Sequence, residues 1–114
     1  MKQNPLDITP REEIVLLALR RKSSYGAELT YELQQVSDFE IDFGCGTLYP
    51  ILHRLEKQNL LRRCSVKDLK GTRGGRPKKY YEITEEGRAI LESIQQFRMR
   101  LQAWTDDNGW QPSY

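Results

Sequence analysis

Thr47, Tyr49, His53, Arg54 and Lys57 fall within one stretch, TLYPILHRLEKQNL (residues 47–60), and all five side chains can donate hydrogen bonds to anionic oxygen. Downstream the cationic chemistry becomes denser. From Arg54 to Lys79 ten residues are basic and only Glu56 and Asp68 are acidic. Arg73, Arg76, Lys78 and Lys79 stand on or beside the glycines of LKGTRGGRPKK. Guanidinium groups on a glycine loop suit a narrow groove bordered by phosphates, with arginine favoured for groove or base edges and lysine for phosphate attraction. A solvated surface is the competing reading of either segment, but a solubilising loop does not need so one-sided a charge.

Enzymatic chemistry lacks its parts. His53 is the single histidine, and there is no carboxylate pair with a cleft, no P-loop, no GxGxxG and no nucleophile elbow. GTRGGR is glycine-rich but has neither the spacing nor the terminal Lys-Ser/Thr of a phosphate cradle. No catalytic or cofactor-binding residue is therefore assigned, and no cofactor is expected. Cys45 and Cys64 are nineteen positions apart, with no CxxC and no histidine at ligand spacing, so no metal site is assigned either. Whether the redox state of these cysteines controls binding stays open.

Composition bounds the rest. A chain of 114 residues that is 38% hydrophobic suffices for one domain with a modest core. Its net charge of +2 says little about partners, so the placement of charge carries the argument. No stretch has the apolar length of a signal peptide or a membrane span, which predicts a soluble cytoplasmic protein with reduced thiols and no membrane partner.

The elements that must position the basic groups follow in order. Thr9, Pro10 and Glu12 have the types and spacing of a capped helix start, which predicts a first helix from Pro10 to about Arg21. Ser23 to Gly26 reads as a turn, and residues 27–36 as a second helix with Leu29 and Leu33 inward. Residues 38–43 alternate Phe39, Ile41 and Phe43 with acids, as a short strand or a packed loop. In the third helix Leu48, Ile51, Leu52 and Leu55 form one face, opposite Gly46, Pro50, His53, Arg54 and Lys57. The Gly44 to Gly46 bend leads into it, so Thr47 and Tyr49 flank its start. There, unpaired N–H groups and a hydroxyl can meet a phosphate. Proline 50 near the first turn costs the helix little.

Beyond Leu60 the period changes to that of strands, over residues 61–66 and 79–84, joined by the basic glycine loop as a protruding wing. Either Tyr80 or Tyr81 points inward. Thr84 can cap a last helix, with Gly87 where that helix crosses another element closely. Ile90, Ile94, Phe97, Leu101 and Trp104 then recur at intervals of four, three, four and three, the spacing of a dimer seam. Residues 106–114 have no period.

Helix, helix, helix, strand, basic loop, strand and long helix make an α+β winged helix-turn-helix with a long C-terminal dimerisation helix. The expected divisions are a flexible tail over 1–8, a DNA-binding domain over 9–84, a dimerisation helix over 85–105 and a tail over 106–114. In such a fold the third helix enters the major groove and the wing reaches the adjacent backbone or minor groove. Double-stranded DNA and a second copy of the chain are the expected partners, and a small-molecule effector stays unknown. The alternative is a winged helix used as a protein-interaction module, its basic wing set on an acidic partner surface.

SYGAELTYEL, TLYPILHRLEKQNLL, GRPKKYY and ITEEG, in that order and spacing, resemble the PadR-like family of winged-helix transcriptional regulators. The resemblance spans residues 16–101. It implies a homodimeric regulator, usually a repressor, on a palindromic promoter site, with Thr47, Tyr49, Arg76 and Lys78 on family positions associated with DNA contact. It also implies a short subclass with one terminal helix. The short chain and aromatic tail are similar to a cyanobacterial regulator of the circadian clock within that family.

Overall fold

The computed structural model describes residue 4, residues 7–65 and residues 79–108, with only the backbone for Cys45, Ser65 and Asn108. Its elements are α1 (Pro10–Arg21), β1 (Ser24–Tyr25), α2 (Gly26–Val36), α3 (Cys45–Lys57), β2 (Leu61–Ser65), β3 (Lys79–Ile83) and α4 (Glu85–Asn108). The fold is an α+β winged helix-turn-helix. Three helices pack over a small antiparallel sheet, and α4 runs back across α1.

Helix α1 starts where the sequence places it. The Thr9 hydroxyl accepts from the Glu12 N–H at 3.2 Å, and the Glu12 carboxylate accepts from the Thr9 N–H at 2.9 Å, closing a capping box. Pro10 costs nothing here, because the first helical N–H has no partner inside the helix. Val15, Leu16 and Leu19 are buried against Leu29, Leu33, Phe43, Leu48, Leu52 and Leu55. Each such side chain contributes roughly 2 kcal/mol by leaving water.

The Ser23–Gly26 turn is a correction. Ser24 and Tyr25 form β1, which pairs with Tyr81 and Tyr80 of β3 and makes the sheet three-stranded in the order β1-β3-β2. Two residues are too few to show alternation, so the sequence pattern could not reveal the strand. Helix α2 then begins at Gly26. Residues 38–43 form a loop rather than a strand, with Phe43 buried and Phe39 65% exposed. Asp38 and Phe39 adopt φ of 54° and 61°, and the Phe39 N–H reaches back to the Gln34 carbonyl at 2.8 Å. That bond closes α2 in the left-handed manner usually reserved for glycine.

Strand β2 pairs with β3 from Leu61 opposite Ile83 to Ser65 opposite Lys79. Leu61, Tyr81 and Ile83 face the core, so Tyr81 is the inward tyrosine, while Tyr80 lies edge-on to Tyr25 with ring centroids 5.4 Å apart. The expected wing tip, residues 66–78, and the tail beyond 108 lie outside the described residues.

Thr84 caps α4, its hydroxyl accepting from the Gly87 N–H at 3.0 Å and donating to the Asn59 carbonyl at 2.7 Å. Gly87 is where α4 crosses closely. A side chain there would strike the Leu60 carbonyl and come within 2.7 Å of Ile83 Cγ1. Arg98 then pairs with the nearly buried Glu13 of α1 at 2.7 Å, which pins the two helices together.

Candidate nucleic-acid interface

Helix α3 starts two residues before Thr47, at Cys45, with Gly44 as its N-cap. Thr47 is thus its third residue and Tyr49 its fifth. Pro50 lies in the second turn, not the first, where it removes a hydrogen bond from within the helix. Leu48, Leu52 and Leu55 are fully buried, which fixes the helix by its inner face and leaves its other residues to be sorted by direction.

The five candidates on α3 divide into two sets. Tyr49, His53 and Lys57 follow one another at intervals of four on the outer face; His53 and Lys57 are exposed and Tyr49 is 38% exposed. Thr47 and Arg54 instead border a groove shared with the first turn of α1, together with Thr9, Pro10, Glu12, Pro50 and Ile51. Arg54 Nε pairs across that groove with Glu12 Oε2 at 3.1 Å.

Tyr49 is also a structural device. Its ring lies directly over Gly26, where an added Cβ would come within 2.7 Å of Tyr49 Cζ and closer still to its hydroxyl. Only a residue without a side chain admits the phenol there, which sets the separation of α2 and α3. The phenol hydroxyl consequently sits at the start of α2. The Tyr25-Gly26 pair was visible in the sequence, but its partner, twenty-three positions on, was not.

Helices α2 and α3 both begin without a side-chain cap, on Tyr25 and Gly44 respectively. Their first N–H groups carry a partial positive charge, and neither N-cap residue supplies a side chain to accept from them. Acidic groups do approach: Asp42 accepts from the Gly44 N–H at 2.9 Å, one residue ahead of α3.

The neighbouring cations are neutralised to different degrees. Arg63 Nε pairs with Glu56 at 2.7 Å, which pushes the guanidinium above its ordinary range through that hydrogen bond and the carboxylate's charge. Arg62 pairs with Glu82. Lys57 and Lys79 have no acidic partner among the described residues, and Lys79 is exposed at the base of the hairpin. Arg73, Arg76 and Lys78 lie outside the described residues. Cys64 is half-buried, and that burial, with Glu82 nearby, pushes its thiol up, the reverse of what a readily oxidised thiolate requires.

The stripe assigned to dimerisation is divided as well. Ile90 and Ile94 are buried within the chain's own fold, next to Leu91. Beyond them Phe97, Leu101 and Trp104 are 46%, 51% and 63% exposed, and α4 continues to Asn108, past the expected boundary at 105.

Residues 15–93, from α1 into α4, match the sequence model of the transcriptional regulator PadR-like family. The chain belongs to the PadR-like family. An uncharacterized protein of Lysinibacillus sphaericus is 31% identical over 85 residues, 73% of this chain and 72% of that one. Among solved structures, a PadR-like transcription factor from Bacteroides fragilis is similar with a TM-score of 0.70 at 25% identity, over 87% of this chain and 89% of that one. A PadR family transcriptional regulator from Eggerthella lenta is 30% identical with a TM-score of 0.61, over 85% of this chain and 81% of that one. This PadR-like chain is a DNA-binding transcriptional regulator and not an enzyme. Among the described residues no helix is long and apolar enough to cross a membrane.

Proposed function

We propose that this PadR-like regulator binds a palindromic promoter site as a homodimer and represses by occupying it. The observation that carries the reading is the outer stripe of α3. Tyr49, His53 and Lys57 are solvent-facing with no ion-pair partner among the described residues, whereas Arg62 and Arg63 nearby are already paired. An unpaired lysine at the end of this stripe, with the Tyr49 hydroxyl set at the uncapped start of α2, is suited to phosphate oxygens. In this reading α3 lies in the major groove, with Thr47 and Arg54 toward its α1 side. Arg73, Arg76, Lys78 and Lys79 of the wing reach the adjacent backbone or minor groove.

Dimerisation is supported by α4. Its first turns are held by the chain's own core, while Phe97, Met99 and Leu101 are about half exposed or more. A second copy covering that part would complete the stripe begun by Ile90 and Ile94 and set the half-site spacing. The division into a DNA-binding body over 9–84 and a dimerising helix, and a cytoplasmic location, belong to the same proposal. A circadian role has no support beyond the short chain and aromatic tail, since neither structural relative above is described as a clock protein.

Selection of bound duplexes from a random pool tests the reading. The expected product is a palindrome with half-sites about one helical turn apart. Arg73→Ala, Arg76→Ala and Lys78→Ala together weaken binding and flatten its dependence on salt. Recovery of no enriched sequence would return the chain to the protein-interaction alternative. A monomeric mass at micromolar concentration would remove the dimer.

A further inference from the structure

Glu12 has no place in the DNA-binding face, yet it is ion-paired to it. It lies in the first turn of α1, only 2% exposed, and both of its oxygens are engaged: Oε1 accepts from the Thr9 N–H at 2.9 Å, and Oε2 pairs with Arg54 Nε at 3.1 Å. The Arg54 side chain is 57% exposed where its partner carboxylate is 3% exposed. The buried end of the pair is therefore fixed by the capping box, and the exposed end is the guanidinium.

Arginine presents five N–H donors in a rigid plane. Holding Nε from behind orients that plane and leaves the two terminal nitrogens for another acceptor. Among the described residues Arg62 and Arg63 are also paired through Nε, each by a hydrogen bond, but to carboxylates more open to water. Glu56 and Glu82, the partners of Arg63 and Arg62, are 27% and 30% exposed. Water competes for those exposed carboxylates, whereas the Glu12 carboxylate, out of water and fixed by the capping box, keeps one position behind its arginine.

We infer that Glu12 is a positioning residue for DNA recognition: it presets Arg54 so that the terminal nitrogens of this guanidinium meet a phosphate at the α1 edge of the major groove. This rests on the reading of α3 as the recognition helix. Glu12 itself, a buried anion behind the binding face, does not touch DNA. Its removal should weaken binding only through Arg54.

That dependence makes the inference testable by a double-mutant cycle on duplex affinity, measured against salt with the selected duplex and the full chain. Arg54→Ala should lower affinity about tenfold and reduce the slope of log affinity against log salt by about one phosphate contact. Glu12→Gln keeps the Thr9 bond and the shape but drops the charge. It should lower affinity about threefold to fivefold in the parent and have no further effect in Arg54→Ala. Equal losses in both backgrounds, or none in the parent, would overturn the inference. A role confined to holding the fold would lower the unfolding midpoint and leave the salt slope alone.

If Glu12→Gln does not fold, Arg54→Lys serves instead. A lysine keeps the charge but cannot bond Glu12 and a phosphate with separate nitrogens on one plane, so affinity should still fall. Parent-like affinity for Arg54→Lys would also overturn the inference. Tyr49→Ala and Lys57→Ala on the outer stripe separate the two levels. If they weaken binding while the Glu12 cycle shows no coupling, the positioning role alone fails; if they are silent too, the recognition-helix reading fails.

Discussion

Helices α1 and α4 start on threonines whose hydroxyls accept from the first turn, while α2 and α3 start on Tyr25 and Gly44 with no such acceptor. The same division appears elsewhere. The capped pair is braced against itself by Arg98 on Glu13 and Arg20 on Gln95. The uncapped pair is joined by the Tyr49 ring lying on Gly26. A helix start left open inside a scaffold would cost stability with no return, since a missing cap is worth about 1 kcal/mol. Open starts at a phosphate-binding face keep their donors for the ligand. The comparison separates a frame, whose helix starts are satisfied by the chain's own side chains, from a reading pair, whose helix starts have no N-cap side chain.

The two close glycines give the largest contrast. Gly87→Ala puts a methyl group on the Leu60 backbone carbonyl, which cannot swing aside, so chemical denaturation should show a loss of about 3 kcal/mol. Gly26→Ala meets only the far end of the Tyr49 side chain, which can rotate away. There the expected loss of stability is within about 1 kcal/mol, while duplex affinity falls because Tyr49 no longer spans the reading pair. If Gly26→Ala proved as destabilising as Gly87→Ala with affinity per folded molecule unchanged, Tyr49 would belong to the frame.

How far this division could be read without coordinates depends on distance along the chain. The caps at Thr9 and Thr84 were legible because a capping residue and its partner lie within four positions. The inward faces of α1 and α3 were legible because the period of a helix repeats within it. Tyr49 on Gly26, Glu12 on Arg54 and Glu13 on Arg98 are contacts between elements, and no local period encodes them. The long stripe on α4 has a related limit. Ile90 and Ile94 have the spacing of a seam, but spacing does not say whether the chain itself or a second copy covers it. Strand β1 escaped notice because its two residues extend a sheet whose other strands lie more than thirty-five positions away.

Removing the caps of the frame is the next smaller perturbation. Thr9→Ala should cost about 1 kcal/mol, and Thr84→Ala somewhat more, because Thr84 also bonds the Asn59 carbonyl at 2.7 Å. Thermal unfolding should register both. Duplex affinity of the folded Thr84→Ala protein should equal that of the parent, as Thr84 bonds the backbone just beyond the C-terminal end of α3 and touches neither uncapped helix start. A loss of affinity in that variant would show that the frame and the reading pair are not separable.

Installing a cap where there is none gives the smallest effect and the most direct check. Gly44 has φ of −61°, which any residue adopts, and a side chain there meets only Asp42 Oδ1 at 3.2 Å, the end of a side chain that can give by a few tenths of an ångström and still accept from the residue 44 N–H. In Gly44→Ser the new hydroxyl can accept from the first turn of α3 and supply the missing cap. Because glycine is itself a fair N-cap residue, the gain in stability should be a few tenths of a kcal/mol. No charge changes, so the salt dependence of binding should keep its slope. Affinity should nevertheless fall about twofold to threefold, because the donor taken by serine is one that a phosphate would otherwise hold. Higher stability with undiminished affinity would mean that the open start of α3 is not used by DNA, and that the contrast between the helix starts is a matter of local sequence alone.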